Sequence, residues 1–231
     1  HGNRANILAD AGYPEEALKS FDLALALNPM SGTDWLNRGS VAQTLGRYEE
    51  ALKNFDKAIT CGAHVAEAQV NRGHALKDLG HIDAARGMTA SPRFDEALAA
   101  YEAAIKLEPQ LPEAHLGRAW INLLRGDWMA GFPEYDYRAQ VPPPAFEPLP
   151  QPRWDGAPLT DERLVLVTEQ GLGDTIHFCR FAPVLASRGF DVTILTRQAM
   201  APLLSALPGV KVETDHDAIA KDERVRWLPL L

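Results

Sequence analysis

The chain has 231 residues, enough for about two ordinary domains, and its 46% hydrophobic and 23% charged residues are typical of globular proteins. Its formal net charge of −8, without any basic cluster, argues against nucleic acid or an anionic membrane as a partner. No apolar run approaches the roughly 20 residues of a membrane-spanning helix, no secretory signal is recognisable, and no His or Cys spacing suits zinc. We therefore expect a cytoplasmic protein without a transmembrane segment or a metal site.

The N-terminal part of the sequence is dominated by a repeat of 34 residues. Three kinds of residue recur at this interval, at Gly12, Gly46 and Gly80, at Asn3, Asn37 and Asn71, and at Ala17 and Ala51. Each unit also carries the spacing Ala-x-x-x-Phe/Tyr-x-x-Ala, in which small residues let two helices approach and the ring fills the space between them. The pattern predicts antiparallel helix pairs stacked as a solenoid over residues 1–140, with a left-handed glycine turn inside each pair.

This period and this alternation of small and large residues resemble the tetratricopeptide repeat (TPR) family through about residue 138. The third unit departs from the pattern, because about a dozen extra residues lie near 81–92. They are either a true insertion or an irregular repeat, and the residues from Gly80 to Ala85 offer a rival start for the second helix of that unit. Both interpretations stay open at this point.

Asn3, Asn37 and Asn71 occupy the same place in the first helix of three units. Asn is a mediocre helix former, so its recurrence needs a reason. A primary amide donates and accepts hydrogen bonds at once, and a ladder of amides can hold an extended peptide backbone. Related TPR proteins, including the TPR arm of the O-GlcNAc transferases, use Asn at the matching place on the concave face. The resemblance implies a protein or peptide partner there; the alternative is inheritance from a duplicated ancestral repeat with no bound peptide.

Residues 141–156 are rich in proline and predict an extended linker that ends in a turn at Trp154-Asp155-Gly156. From 157 to 231 short apolar runs alternate with helical patterns, which predicts a partial α/β, Rossmann-like domain with a parallel sheet. The predicted strands are Arg163–Thr168, Asp191–Thr196, Val210–Thr214 and Val225–Leu230. The predicted helices are Ile176–Arg188, ended by Gly189, and a second one near Gln198–Leu207.

A glycine-bearing loop follows the first predicted strand, at the edge of the sheet where such folds bind ligands. It contains Glu169, Gln170, Gly171, Gly173, Asp174 and Thr175. The loop is a poor dinucleotide fingerprint because its third glycine position is Ile176, and the absence of Gly-Lys-Ser/Thr excludes a P-loop. It can still bring the backbone close to a ligand beside the carboxylate of Asp174.

The block Glu169–Pro183 resembles the N-terminal lobe of the heptosyltransferase-like (glycosyltransferase family 9) proteins that carry TPR arms. Shorter stretches at Gly126–Tyr135, Trp154–Gly156 and Leu203–Val210 match in the same order. The resemblance implies half of a GT-B fold, the half that takes a sugar or glycan acceptor. The nucleotide-sugar donor would bind to a second lobe outside these residues, so we expect no cofactor in this chain and no transferase activity from it alone.

The same resemblance gives the loop residues their roles. Asp174 would be the general base toward the acceptor hydroxyl in an inverting transfer, and Glu169, Gln170, Gly171, Gly173 and Thr175 would form the acceptor loop. From the residues alone, Asp174 could equally be an ordinary helix N-cap. The competing interpretation of the whole chain is a non-enzymatic TPR scaffold with a remnant Rossmann lobe.

Overall fold

The computed structural model of the protein describes residues 1–86, 91–142, 148–169 and 171–230. Its contacts divide the chain into two units, His1–Arg138 and Ala139–Leu231. The described part of the first unit is built from α-helices, whereas the second combines a β-sheet with short helices.

The helices of the first unit follow one another as antiparallel pairs, α1 with α2, α3 with α4, α5 with α6 and α7 with α8. Each pair also packs on the next one along the chain. This arrangement confirms the predicted helical solenoid. The helices are α1 (Gly2–Asp10), α2 (Pro14–Leu27), α3 (Gly32–Thr44), α4 (Tyr48–Thr60), α5 (Val65–Ala85), α6 (Arg93–Leu107), α7 (Pro112–Leu124) and α8 (Trp128–Tyr135).

Glycines close the turns inside three of the four pairs. Gly12, Gly46 and Gly126 have φ angles of 81°, 72° and 79°, a left-handed conformation that side-chain-bearing residues rarely adopt. The prediction of a turn is wrong for Gly80, which lies inside α5. An ideal Cβ at Gly80 would be 2.7 Å from Phe94 Cε1, so this glycine lets α5 and α6 approach instead.

The extra residues of the third unit lengthen its first helix. Because nothing after Gly80 interrupts helix formation, α5 continues through His81 to Ala85, and the rival start for the second helix is therefore wrong. Asp83 in this extension accepts hydrogen bonds from Ser91 Oγ at 2.9 Å and from Arg93 Nε at 3.1 Å, at the start of α6. Residues 87–90 lie outside the described part of the chain.

Fully buried aromatic rings fill the interior of the first unit, as the repeat predicts. Phe21, Phe55 and Tyr101 are each 0% exposed. An ideal Cβ at Gly39 would lie 2.5 Å from Phe55 Cε1, and one at Gly73 would lie 2.6 Å from Tyr101 Cε1. The first helices therefore need glycine at these positions, because a side chain there would overlap the aromatic ring of the second helix.

The second unit contains a parallel sheet in the order β3-β2-β1-β4. Its central strand β1 buries Leu164 and Leu166 in one apolar cluster and Val165 and Val167 in another, as a strand covered on both faces requires. The predicted parallel sheet and its strands are confirmed. The strands are β1 (Arg163–Thr168), β2 (Val192–Leu195), β3 (Val210–Glu213) and β4 (Val225–Leu230).

The helices of the second unit are shorter than the sequence predicts. The single helix expected over Ile176–Arg188 is divided into α9 (Leu172–Phe178) and α10 (Phe181–Ser187). Pro183 explains the division, because proline has no N–H to donate to the carbonyl of Cys179 and its ring would clash with that carbonyl. The helix expected near Gln198–Leu207 is reduced to α11 (Ala201–Leu204), and α12 (His216–Ala220) precedes β4.

The C-terminal part of the predicted linker belongs to the packed core of the second unit. Leu149 is 4% exposed and belongs to the same apolar cluster as Val165 and Trp227. Gln151 Nε2 donates to the Ile219, Ala220 and Asp222 carbonyls, and Trp227 Nε1 donates to the carbonyl of Gln151 at 2.7 Å. Residues 143–147 lie outside the described ranges.

Candidate functional site

The first helices of the pairs line the inner surface of the solenoid. Contacts run from α1 to α3, from α3 to α5 and from α5 to α7, in addition to the contacts within pairs. In a superhelical stack the elements that approach their neighbours in this way face the concave side. Asn3, Asn37 and Asn71 lie on α1, α3 and α5, so all three belong to the helices of this surface.

The three asparagines are accessible rather than packed between helices. Asn3 is exposed, and Asn37 and Asn71 are half-buried. Asn37 Nδ2 donates a hydrogen bond of 3.1 Å to Asn6 Oδ1 on α1, which ties neighbouring first helices together across the inner surface. In the described ranges neither Asn3 nor Asn71 has a side-chain hydrogen bond, so their amides can still donate and accept.

An arginine follows each of these three asparagines, and Arg38 and Arg72 have a structural role that the sequence analysis missed. Arg38 Nε lies 2.9 Å from Asp22 Oδ1, and Arg72 Nε lies 2.9 Å from Asp56 Oδ1. Each pair joins the first helix of a unit to the second helix of the preceding unit. The two aspartates are also 34 residues apart, so the signal was present in the sequence.

The fourth unit replaces the ladder asparagine by Gly117. An ideal Cβ at this position would lie 2.4 Å from Tyr101 Cζ, which excludes any side chain. Arg118 pairs with Glu134 of the following helix, both through Nε at 2.7 Å and through Nη2. The amide ladder therefore ends with the third unit, and the fourth unit has a different polar cluster.

That cluster is centred on Glu134 of α8. Its carboxylate accepts hydrogen bonds from Arg118 and from His115 Nδ1, the latter at 2.8 Å. The His115 ring stacks on Tyr137 at 4.2 Å and its Nε2 lies 2.9 Å from the Pro109 carbonyl. Burial raises the pKa of Glu134, but the hydrogen bonds and charges of Arg118 and His115 outweigh it and hold the pKa below its usual value.

The glycine loop lies at the carboxyl end of β1. Gly171 is the N-cap residue of α9, and the buried Thr175 donates its hydroxyl to the Gly171 carbonyl at 3.0 Å. Gly173 and Asp174 are exposed in the first turn of α9. Glu169 is half-buried, and Gln170 lies outside the described residues. The loop thus presents one exposed carboxylate beside accessible backbone.

Asp174 is not the N-cap of its helix. It is the third residue of α9, and no side chain caps this helix at Gly171. The N-cap interpretation of Asp174 is therefore wrong. An ideal Cβ at Gly171 would lie 2.6 Å from Asp174 Oδ2, so the carboxylate folds back over the glycine.

Two features are absent from the described residues, 1–86, 91–142, 148–169 and 171–230. Among those residues no helix combines the length and the hydropathy that a bilayer crossing requires. Within the same ranges no group of three or more His, Cys, Asp or Glu side chains is arranged to hold a metal ion.

Comparison with known proteins places the helical unit in a family. Residues 3–66 and 91–145, just over half of the chain, match the tetratricopeptide repeat family model. Protein FlbA of Caulobacter vibrioides is 36% identical over 143 residues, which cover 57% of this chain and 23% of FlbA. This chain therefore spans less than a quarter of the length of that relative.

Solved structures agree with this assignment at the level of the fold. A crystal structure of MamA has a TM-score of 0.51 and 18% sequence identity, covering 59% of this chain and 72% of MamA. A second MamA crystal structure has the same TM-score and identity, over 60% of this chain and 69% of that one. Together with the family match and the observed helix pairs, they lead to one conclusion: the chain belongs to the tetratricopeptide repeat family.

Proposed function

We propose that the inner surface of the helical unit binds an extended segment of another protein. The observation that carries this proposal is the placement of Asn3, Asn37 and Asn71 on successive first helices, accessible and, for Asn3 and Asn71, without side-chain partners among the described residues. Because the units stack with one repeat geometry, equivalent amides follow one another along the surface. An extended peptide presents N–H and C=O groups along its length, which amides bind without regard to side-chain identity.

The neighbouring ion pairs support a rigid ladder. Arg38 and Arg72 connect α3 and α5 to the unit that precedes each of them, and Asn37 is held through Asn6. A receptor whose groups are already positioned loses little conformational entropy on binding. The inherited-repeat alternative assigns these asparagines no ligand and therefore predicts no effect of replacing them on binding.

The first test measures peptide binding by the full chain. An array of nine-residue peptides of randomised sequence identifies ligands, and fluorescence anisotropy then gives their affinities. We expect Asn71→Ala to weaken binding about 2- to 10-fold, the value of about one net hydrogen bond, and Asn37→Ala/Asn71→Ala to weaken it about 10- to 100-fold.

The control is Lys19→Ala, a substitution of an exposed residue on α2, which should leave affinity unchanged. Both asparagine substitutions should leave the unfolding free energy within about 0.5 kcal/mol, because alanine is the better helix former. Equal affinity of the double variant and the unaltered chain would contradict the amide ladder.

We propose that the second unit is the acceptor lobe of a glycosyltransferase. The alternative is a non-enzymatic TPR scaffold in which this unit is a remnant Rossmann lobe. The strand order β3-β2-β1-β4 supports this, because it is the order of the first four strands of a doubly wound dinucleotide-type fold. In such sheets ligands bind at the carboxyl edge where the order reverses, here between β1 and β4. The glycine loop with Asp174 follows β1 at that edge.

In the proposed reaction Asp174 takes the proton of an acceptor hydroxyl. The acceptor oxygen then bonds to the anomeric carbon of a nucleotide-sugar, whose bond to the phosphate oxygen breaks, and the nucleoside diphosphate leaves. Gly171, Gly173, Thr175, Glu169 and Gln170 would form the acceptor loop around this carboxylate. The donor would be held by a further lobe of the full-length enzyme, not by these residues.

Asp174→Asn tests this second proposal in a full-length protein that contains a donor lobe. Turnover should fall by roughly two to four orders of magnitude, because the amide cannot take the proton. Stability should change by less than about 1 kcal/mol, since Asp174 is exposed. Asp217→Asn, an exposed acid in the first turn of α12, is the matched control and should keep full activity. Unchanged turnover in Asp174→Asn would remove this residue from the mechanism.

A further inference from the structure

The face of the first helices that carries the asparagine ladder changes character in the fourth unit. On a helix, residues three and seven positions after a given residue lie on the same face as that residue. Counted from the ladder asparagine, these two places are polar in the first three units, where they are Asn6 and Asp10, Ser40 and Thr44, and His74 and Asp78. In α7, counted from Gly117, they are Trp120 and Leu124. The inner surface therefore becomes apolar where the amide ladder ends.

Both apolar side chains of this face are accessible. Trp120 is 50% exposed and Leu124 is 53% exposed. The Trp120 ring meets Tyr135 edge to face, with 6.1 Å between centroids, and this contact still leaves half of the tryptophan uncovered. A single exposed apolar residue needs no explanation, but two neighbours on one helix face that also line a cavity indicate a binding surface.

The cavity lies between α5 and α7 and has a volume of about 180 Å³. Trp120, Leu124 and the buried Ile121 line it from α7, and Lys77 and His81 line it from α5. Among the described residues that line it, none is Asp or Glu. An engineered apolar cavity of about 150 Å³ holds a benzene ring, so a space of this size accepts one leucine, isoleucine, methionine or phenylalanine side chain.

The lengthened α5 provides one wall of this cavity. His81 belongs to the extension of α5 beyond Gly80, and its ring packs edge-on against Phe94 with 5.5 Å between centroids. The equivalent residue of the second unit, 34 positions earlier, is Arg47, which lies beyond the end of α3. The extra residues of the third unit and Trp120 of the fourth therefore combine to form a cavity that the earlier pairs of first helices do not have the residues to form.

We propose that this cavity binds one apolar side chain of the bound segment, a leucine, isoleucine, methionine or phenylalanine. The inference rests on the proposed peptide binding and names the residue class that one position of the peptide must carry. Trp120 lies three residues, about 4.5 Å, along α7 from the ladder place, a distance that one such side chain spans. Amides bind the peptide backbone at any sequence, whereas a cavity for a side chain gives one position a preference.

The test uses the full chain and the array of nine-residue peptides, with one residue fixed in turn and the others randomised. We expect selection of Leu, Ile, Met or Phe at a single position. Replacing that residue by Ser in a selected peptide should weaken binding about 10- to 100-fold, the value of burying one such side chain. The preference should change little with salt, because it does not depend on charge.

Two variants of the chain locate the preference in the cavity. Trp120→Ala and Leu124→Gln should each weaken the selected peptides about tenfold or more and reduce the difference between the apolar and the Ser peptide. Leu124→Gln should leave the midpoint of thermal unfolding unchanged, because Leu124 is half exposed, so its result stands even if Trp120→Ala loosens the contact with Tyr135.

The matched controls are Trp128→Ala and Leu107→Gln, at side chains 57% and 55% exposed on the second helices α8 and α6. Both should keep the affinity and the preference. Selected peptides without an apolar preference at any position would overturn the apolar cavity and leave the amide ladder standing. A preference that survives both Trp120→Ala and Leu124→Gln would also overturn it. A chain that binds no peptide would overturn the proposed function itself, and with it this inference.

Discussion

Replacing Glu134 by Gln is expected to lower the unfolding free energy of the helical unit by about 2–4 kcal/mol. The carboxylate is only 17% exposed and is the shared partner of Arg118 and His115, which are 26% and 10% exposed. Its loss takes the hydrogen-bonded carboxylate from the partly buried Arg118 guanidinium and the acceptor charge from His115 Nδ1, and breaking one side of a buried pair costs more than the pair contributes. Denaturant unfolding followed by circular dichroism measures the change, with Glu96→Gln on α6 as the exposed control.

The stability difference between the unaltered chain and Glu134→Gln should also decrease as the pH is lowered. Because the folded protein holds the pKa of Glu134 below its usual value, the stabilisation is complete above the usual pKa and is lost as the pH falls through the folded value. The stabilities of the unaltered chain and of Glu134→Gln should therefore approach each other progressively as the pH falls below the usual glutamate pKa of about 4.3. A difference that persists unchanged in acid would contradict an ionised Glu134 in the cluster.

Because Phe55 packs against Gly39, substitutions at these two residues should produce the largest loss of unfolding free energy and should be strongly coupled in their effects on stability. Phe55→Ala empties a fully buried site and is expected to cost about 3–5 kcal/mol. Gly39→Ala adds a methyl group that would meet the Phe55 ring at 2.5 Å, and overpacking of this kind costs about 1–3 kcal/mol. The helix propensity of alanine offsets about 1 kcal/mol of that cost.

In the double variant the added methyl enters the space that the ring has left. Gly39→Ala should therefore be neutral or stabilising in the Phe55→Ala background, with a coupling energy of about 1–3 kcal/mol in the double-mutant cycle. Leu27→Ala, at a side chain 76% exposed, is the control and should change stability by less than about 0.5 kcal/mol. Additive effects at Gly39 and Phe55 would contradict the close contact.

The repeat could be predicted from the sequence because its period fixes which residues are equivalent. Gly12 and Gly46 are turn glycines, as expected, and Phe55 is a core ring. Gly80 fits the same period and is not a turn, because the residues after it continue α5 and the ring of Phe94 needs the space of its missing side chain. Period alone does not distinguish a glycine required for its φ angle from one required for close packing.

The second unit could be predicted as far as its strands but not in the details of its helices. The apolar strands identified the parallel sheet, whereas Pro183 divided a segment with an uninterrupted helical pattern. In the helical unit, Tyr101 looked like another core aromatic from its spacing. Its hydroxyl and its relation to Gly117 depend on contacts between residues from three helices, which no local pattern contains.

Amide and side-chain NMR of the full chain with an array-selected peptide locates the bound peptide and so tests whether it lies on the inner surface. We expect chemical-shift changes concentrated on α1, α3, α5 and α7, including the side-chain amides of Asn37 and Asn71. Changes confined to the second helices α2, α4 and α6, with both side-chain amides unaffected, would contradict peptide binding on the inner surface.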